Sequence, residues 1–196
     1  MTHPRAVIFD LDGTLADSAL DFDAMRAEIG LRPGTPILEQ LADADHALRA
    51  RAEVIMRRHE RAAIAGATLT DGCADLLGHL AALEIPIGIL TRNIREVVET
   101  FAHTFDFRFD AVYTREDGPF KPSPAGVLAL CAAFGAAPAD TLTVGDYKFD
   151  VIAGRRAGCR TALLHRGLDP ADHADWGAPD LVIQSLRELV PLFPPR

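Results

Sequence analysis

The chain has 196 residues, 48% of them hydrophobic, and a formal net charge of −8. That length holds one core domain plus a small insertion. The acidity argues against nucleic acid as a partner, and no apolar run reaches the roughly 18 residues needed to span a bilayer. Cys73, Cys131 and Cys159 are odd in number, widely spaced and form no CxxC pair, so neither a disulfide framework nor a zinc site is expected, and a reducing cytosol fits best. Lys121 and Lys148 are the only lysines, so chemistry that requires a lysine has two candidates.

In chain order, residues 5–9 read as a first strand, buried along its apolar run Ala6–Phe9. It carries straight into Asp10 and Asp12, which is not a signal-peptide pattern. From Asp17 to Gly66 the pattern turns helical and charged. One helix is expected over Asp17–Ile29, broken by Gly30 and Pro33-Gly34. A longer one is expected over Pro36–Ala65, with Leu38, Leu41, Leu48, Val54 and Ile55 on its apolar side. From Leu69 strands and helices alternate. Helices are expected over Asp71–Leu83, Ile94–His103, Pro124–Phe134, Phe149–Arg156 and Ser185–Leu192. Strands are expected over Pro86–Leu90, Asp110–Tyr113, Thr141–Val144, Arg160–Leu164 and Asp180–Ile183. Such alternation predicts an α/β fold, a Rossmann-like parallel sheet covered on both faces. The expected domains are a core of residues 1–16 and 67–196 and a small helical cap over 17–66. The tail Pro191–Arg196 reads as loose, and Trp176, within Asp169–Pro179, as a loop anchor on the core surface.

Polar residues recur where the strands end, the edge at which open α/β sheets bind ligands. Asp10 and Asp12 are two apart in an extended segment and can face one pocket. Gly13 then allows an immediate turn. Two crowded carboxylates call for a proton or a cation between them, and Mg²⁺ is a hard cation that prefers oxygen ligands. Thr91 follows Ile87–Leu90, and Arg92 and Asn93 add further donors. Lys121 lies in Phe120-Lys121-Pro122-Ser123-Pro124, a loop stiffened by two prolines. Gly145-Asp146-Tyr147-Lys148-Phe149-Asp150 follows Leu142–Val144, and its two aspartates share a face of any helical turn. Singly, each has an ordinary reading: an Asp-Gly turn, a helix cap at Thr91, a solvated Lys121, a helix-start charge at Asp146. Four such sites after four apolar strands point to a single cleft.

These motifs together resemble the haloacid dehalogenase superfamily. The resemblance rests on Asp10-Leu11-Asp12-Gly13-Thr14-Leu15, Thr91, Lys121 in Lys-Pro-x-Pro, and Gly145 to Asp150, and spans nearly the whole chain. Arg115-Glu116-Asp117 and an insertion after the first motif look like the phosphoglycolate-phosphatase-like branch. The insertion is short for that branch, and Arg92 stands where many relatives carry Asn. The resemblance implies a phosphatase acting on small-molecule phosphate esters, with Asp10 as nucleophile and Asp12 as general acid and base. It implies Mg²⁺ held by Asp10, the backbone carbonyl of Asp12 and Asp146, with Asp150 supporting the metal. Thr91, Arg92 and Lys121 would bind the phosphoryl oxygens. Asp12 argues against dehalogenation, which needs no second acid, and a cap without lysine argues against Schiff-base phosphonate cleavage. A sugar phosphomutase, a phospho-aspartate signalling domain and an inactive scaffold are the alternatives. Cap arginines Arg26, Arg32, Arg49, Arg51, Arg57, Arg58 and Arg61 either form a solvated face paired with Glu53 and Glu60 or include one that binds a substrate carboxylate. The seven histidines show no ligand spacing, and no pattern fixes an oligomeric state.

Overall fold

A computed structural model describes residues 3–165 and 176–195. Part of the Asp169–Pro179 stretch therefore lies outside the described residues. The chain divides into two compact units, Met1–Asp17 with Thr68–Arg196, and Ser18–Ala67.

The first unit is built on six parallel strands: β1 (Ala6–Phe9), β4 (Ile87–Leu90), β5 (Ala111–Tyr113), β6 (Thr141–Gly145), β7 (Arg160–Leu164) and β8 (Leu181–Ile183). Their spatial order is β5-β4-β1-β6-β7-β8. Every residue of β1, β4 and β6 is buried. Successive strand side chains point to opposite faces, so both faces of the sheet centre are covered. The covering helices are α4 (Cys73–Ala82), α5 (Arg95–Phe105), α6 (Ala125–Phe134) and α7 (Lys148–Ala157). Ile8, Leu90, Val127, Leu130, Cys131 and Ala153 form one cluster between β1, β4, α6 and α7. All three cysteines are buried and unbridged. None of the described helices is long and apolar enough to cross a membrane.

A two-stranded ribbon pairs β2 (Ala16–Asp17) with β3 (Thr68–Leu69), antiparallel. It carries the chain out of the first unit and back. Thr70 secures its base, donating its N–H to the Leu15 carbonyl at 3.0 Å and its hydroxyl to that of Thr14 at 2.6 Å.

The second unit holds α1 (Phe22–Ile29), α2 (Ile37–Ala42) and α3 (His46–Ala65) around Met25, Ile29, Ile37, Leu41, Ala52, Ile55 and Met56. Three expectations change here. Helix α1 starts at Phe22 because the Asp21 side chain accepts from the N–H groups of Asp23 and Ala24. The long helix expected over Pro36–Ala65 is two, because Asp45 caps a new start by accepting from Leu48 N at 2.7 Å. Val54 is 70% exposed. The buried stripe of α3 runs through Ala52, Ile55, Met56, Glu60 and Ile64, which turns Val54 outward.

The C-terminal end also differs from expectation. Leu186–Leu192 is a 3₁₀ segment whose start is closed by Ser185 and Glu188. Pro191 lies inside it and offers no N–H for an α-helical bond. The tail is anchored: Phe193 is 2% exposed, and its carbonyl lies 2.6 Å from His79 Nε2.

Candidate active site

Every side chain singled out at a strand end lies in the first unit. Strand β1 delivers Asp10, whose N–H bonds to the carbonyl of Val144 on β6 at 2.9 Å. The chain then folds tightly, and the Leu11 carbonyl accepts from the N–H groups of Thr14, Leu15 and Ala16. Gly13 makes this possible with φ +83. A Cβ built on Gly13 would stand 2.1 Å from Asp146 Oδ2, so the bare α-carbon is also what admits the Asp146 carboxylate.

Strand β4 delivers Thr91, which is 2% exposed. Its Oγ1 accepts the N–H of Asn93 at 3.0 Å, which leaves its O–H as a donor. Asn93 is buried and donates its side-chain Nδ2 to Asp12 Oδ2 at 3.0 Å, while its Oδ1 accepts from Ile94 N. This Asn93–Asp12 bond crosses 81 positions of sequence. The only sequence signal for it is an amide two residues after Thr91.

Lys121 is 3% exposed and bridges two acids. Its Nζ lies 2.7 Å from Asp10 Oδ1 and 2.6 Å from Asp150 Oδ1. Asp150 begins its work at the start of α7: its Oδ2 accepts the N–H of Tyr147 at 3.1 Å. Burial pushes the Asp10 carboxyl well above its usual range; Lys121 opposes that shift, and Asp150 and Asp146 add to it. Burial alone would lower the Lys121 ammonium, but Asp10 and Asp150 outweigh it and its affinity for the proton rises.

Asp10, Asp146 and Asp150 each offer an oxygen, all within 4.8 Å of one another. Three carboxylates face one lysine, so the donor set is all-oxygen with an excess of negative charge. This cluster could hold a metal ion and suits a hard divalent cation. The Asp12 carboxylate is directed to Asn93 and stands outside that group. Thus, of two aspartates only two residues apart, Asp10 contacts the Lys121 ammonium and Asp12 accepts a bond from the Asn93 amide.

Arg92 was expected among the phosphate ligands. Its guanidinium carbon lies 4.9 Å from the centroid of the Phe120 ring and 4.4 Å from that of Phe149. Its carbonyl accepts from Arg115 Nη1. Asp117 takes a bidentate bond from Arg95 and also accepts from Thr114, so Arg115-Glu116-Asp117 braces the turn after β5. Trp176 packs edge-on against Tyr147 with 5.1 Å between ring centroids.

The chain is similar to known proteins. A family model for haloacid dehalogenase-like hydrolases matches residues 4–158. A haloacid dehalogenase-like hydrolase domain-containing protein of Arabidopsis thaliana is 32% identical, over 96% of this chain and 83% of its own. A phosphoglycolate phosphatase of Chromobacterium violaceum is also 32% identical, over 98% of each chain. A solved haloacid dehalogenase-like family hydrolase from Streptococcus pneumoniae superposes with a TM-score of 0.76 at 25% identity, covering 99% of this chain and 100% of its own. The chain belongs to the haloacid dehalogenase-like hydrolases, in the branch that includes the phosphoglycolate phosphatases.

Proposed function

We propose that the protein is a Mg²⁺-dependent phosphatase that cleaves small-molecule phosphate monoesters through an aspartyl-phosphate on Asp10. The observation that carries this reading is the division of labour between two neighbouring acids. Asp10 shares Lys121 with Asp150, while Asp12 is held separately by Asn93.

In this mechanism a carboxylate oxygen of Asp10 attacks phosphorus and the ester oxygen departs. Asp12 gives that oxygen its proton. Asp12 then takes a proton from water, which attacks the aspartyl-phosphate; inorganic phosphate leaves and the Asp10 carboxylate is restored. Asn93 keeps the Asp12 carboxylate aimed through both steps. Lys121 and the Thr91 hydroxyl hold the phosphoryl oxygens as charge develops on them. Asp10, Asp146 and the backbone carbonyl of Asp12 are the proposed Mg²⁺ ligands. Asp150 supports them from behind, since both its oxygens already accept hydrogen bonds. Bound Mg²⁺ supplies positive charge that favours the ionised nucleophile and offsets the charge of the phosphoryl group.

We assign Ser18–Ala67 as the cap that selects the substrate. Phosphoglycolate is the first candidate, because a phosphatase named for it is among the full-length relatives. The three free cysteines fit a reducing cytosol. The test is phosphate release from phosphoglycolate, sugar phosphates, nucleotides and an aromatic phosphate ester, with and without Mg²⁺. Release should require Mg²⁺ and vanish in Asp10→Asn, with the melting temperature retained. Turnover surviving in that variant would remove Asp10 as the nucleophile.

A further inference from the structure

Three site residues each have a neighbour in sequence, and the side chains of those neighbours meet. Arg92 follows Thr91, Phe120 precedes Lys121, and Phe149 precedes Asp150. Arg92 and Phe120 lie in the loops after β4 and β5, and Phe149 lies in the first turn of α7, which follows β6. The Arg92 guanidinium lies over both rings, 4.9 Å from Phe120 and 4.4 Å from Phe149. All three side chains are half-buried.

We propose that Arg92, Phe120 and Phe149 form a clasp that sets the spacing between the loops after β4 and β5 and the start of α7, which makes Arg92 a positioning residue. The inference rests on the phosphatase reading for its kinetic effects. A planar cation has two faces, and each can take the negative face of an aromatic ring. One guanidinium can therefore join two rings that do not share a loop. A lysine offers a compact point charge in place of that flat surface. The neighbouring bonds explain why such a joint matters. Thr91 N bonds to the Tyr113 carbonyl, and Arg115 bonds to the carbonyls of Asn93 and Arg92, so the first two loops are tied through backbone. The start of α7 meets them through Lys121 and Asp150, whose 2.6 Å contact is part of the reacting centre, and the far end of α7 bonds the Pro122 carbonyl through Arg156. The Phe149 ring links the start of α7 to both loops without using a reacting group. Misplacement of catalytic groups by about 1 Å can cost about 10²-fold in rate.

The test compares Arg92→Leu, Arg92→Lys, Phe120→Leu, Phe149→Leu and the double variant Arg92→Leu/Phe149→Leu in the full-length Mg²⁺ enzyme. Each single leucine variant should lower kcat by about 10-fold to 10²-fold and leave KM within about threefold of wild type. The double variant should be no worse than its poorer parent, because both changes open one joint. Arg92→Lys should recover only part of the loss. Amide hydrogen exchange should quicken together at residues 91–93, 120–123 and 147–150, with the β1 and β6 amides unchanged. If Arg92 instead ligates phosphate, Arg92→Leu raises KM while the phenylalanine variants behave as wild type, and the clasp is overturned. Additive losses in the double variant would overturn it as well. Should the wild type release no phosphate from any ester, the phosphatase reading fails while the exchange experiment still decides the clasp.

Discussion

The two units hold contrasting charge pairs. In the first, beside exposed pairs such as Arg187 with Asp75, a lysine only 3% exposed, Lys121, bridges Asp10 and Asp150, which are 13% and 7% exposed. In the second, Arg58 bonds Glu28 with the two side chains 62% and 39% exposed, and Arg57 pairs with Glu53 one helical turn away on the same surface. Water can replace either partner of an exposed pair, so such pairs contribute little. It cannot reach a buried lysine, so removing one partner there strands the others. The core has placed charge where chemistry needs it, at the cost of stability that depends on every member being present.

The largest effect that would break this contrast is expected at Lys121. Lys121→Met leaves Asp10, Asp146 and Asp150 facing one another. Stability should fall by about 3–5 kcal/mol, phosphate release should fall by at least about 10²-fold, and added Mg²⁺ should restore part of the stability. Thermal melts with EDTA and with Mg²⁺ check the first and last points. An unchanged melt in EDTA would mean that the buried contact carries no stability.

Gly13→Ala comes next. Its new methyl would collide with the Asp146 carboxylate at a left-handed backbone position. The concentration of Mg²⁺ giving half-maximal activity should rise by about 10- to 100-fold. Asn93→Ala should lower kcat by about tenfold or more, part of the ~10²–10⁴ that a positioned acid–base contributes, with KM little changed. A rise in KM alone would assign Asn93 to substrate.

The smallest effect is expected in the second unit. Hydrogen bonds from His59 and Arg58 hold the Glu28 carboxyl below its usual range. A lowered folded value means stability that is present above the unfolded value and lost as pH falls through the folded one. Glu28→Gln should therefore leave the melt near neutral pH almost unmoved and flatten its decline in acid. A large loss at neutral pH would erase the contrast between the units.

The sequence reveals most where burial is complete. Runs such as Ala6–Phe9 and Ile87–Leu90 are apolar throughout, so the first polar residue after each marks the sheet edge. Asp10 and Thr91 stand out for that reason, Asp146 follows the buried β6 in the same way, and Lys121 stands out as one of two lysines in a loop stiffened by two prolines; the structure gathers their side chains in one unit. Less is legible where a partner lies far along the chain. Nothing near Asp12 announces Asn93, and nothing near Arg92 announces that its guanidinium will lie over Phe120 of another loop and Phe149 of α7. Short-range competition hides other features. Asp43-Ala44-Asp45 reads as a charged stretch within one helix until Asp45 closes onto Leu48 N and starts a second. Phe193 reads as part of a loose tail because its burial depends on packing from distant elements.

The ribbon of Ala16–Asp17 with Thr68–Leu69 has a consequence for how such a protein can change over time. Its two strands bring both ends of the Ser18–Ala67 insert side by side before the insert begins. Closing a loop between ends that are already adjacent becomes only slowly more costly with length, by about 0.6 kcal/mol for each doubling. The insert is therefore a replaceable cassette: lengthening, shortening or exchanging it leaves the register of β1 and the loop of Asp10 and Asp12 undisturbed. If the insert is the substrate-selecting cap proposed above, new substrate preferences are sampled at this one junction while the loop of Asp10 and Asp12 is inherited unchanged.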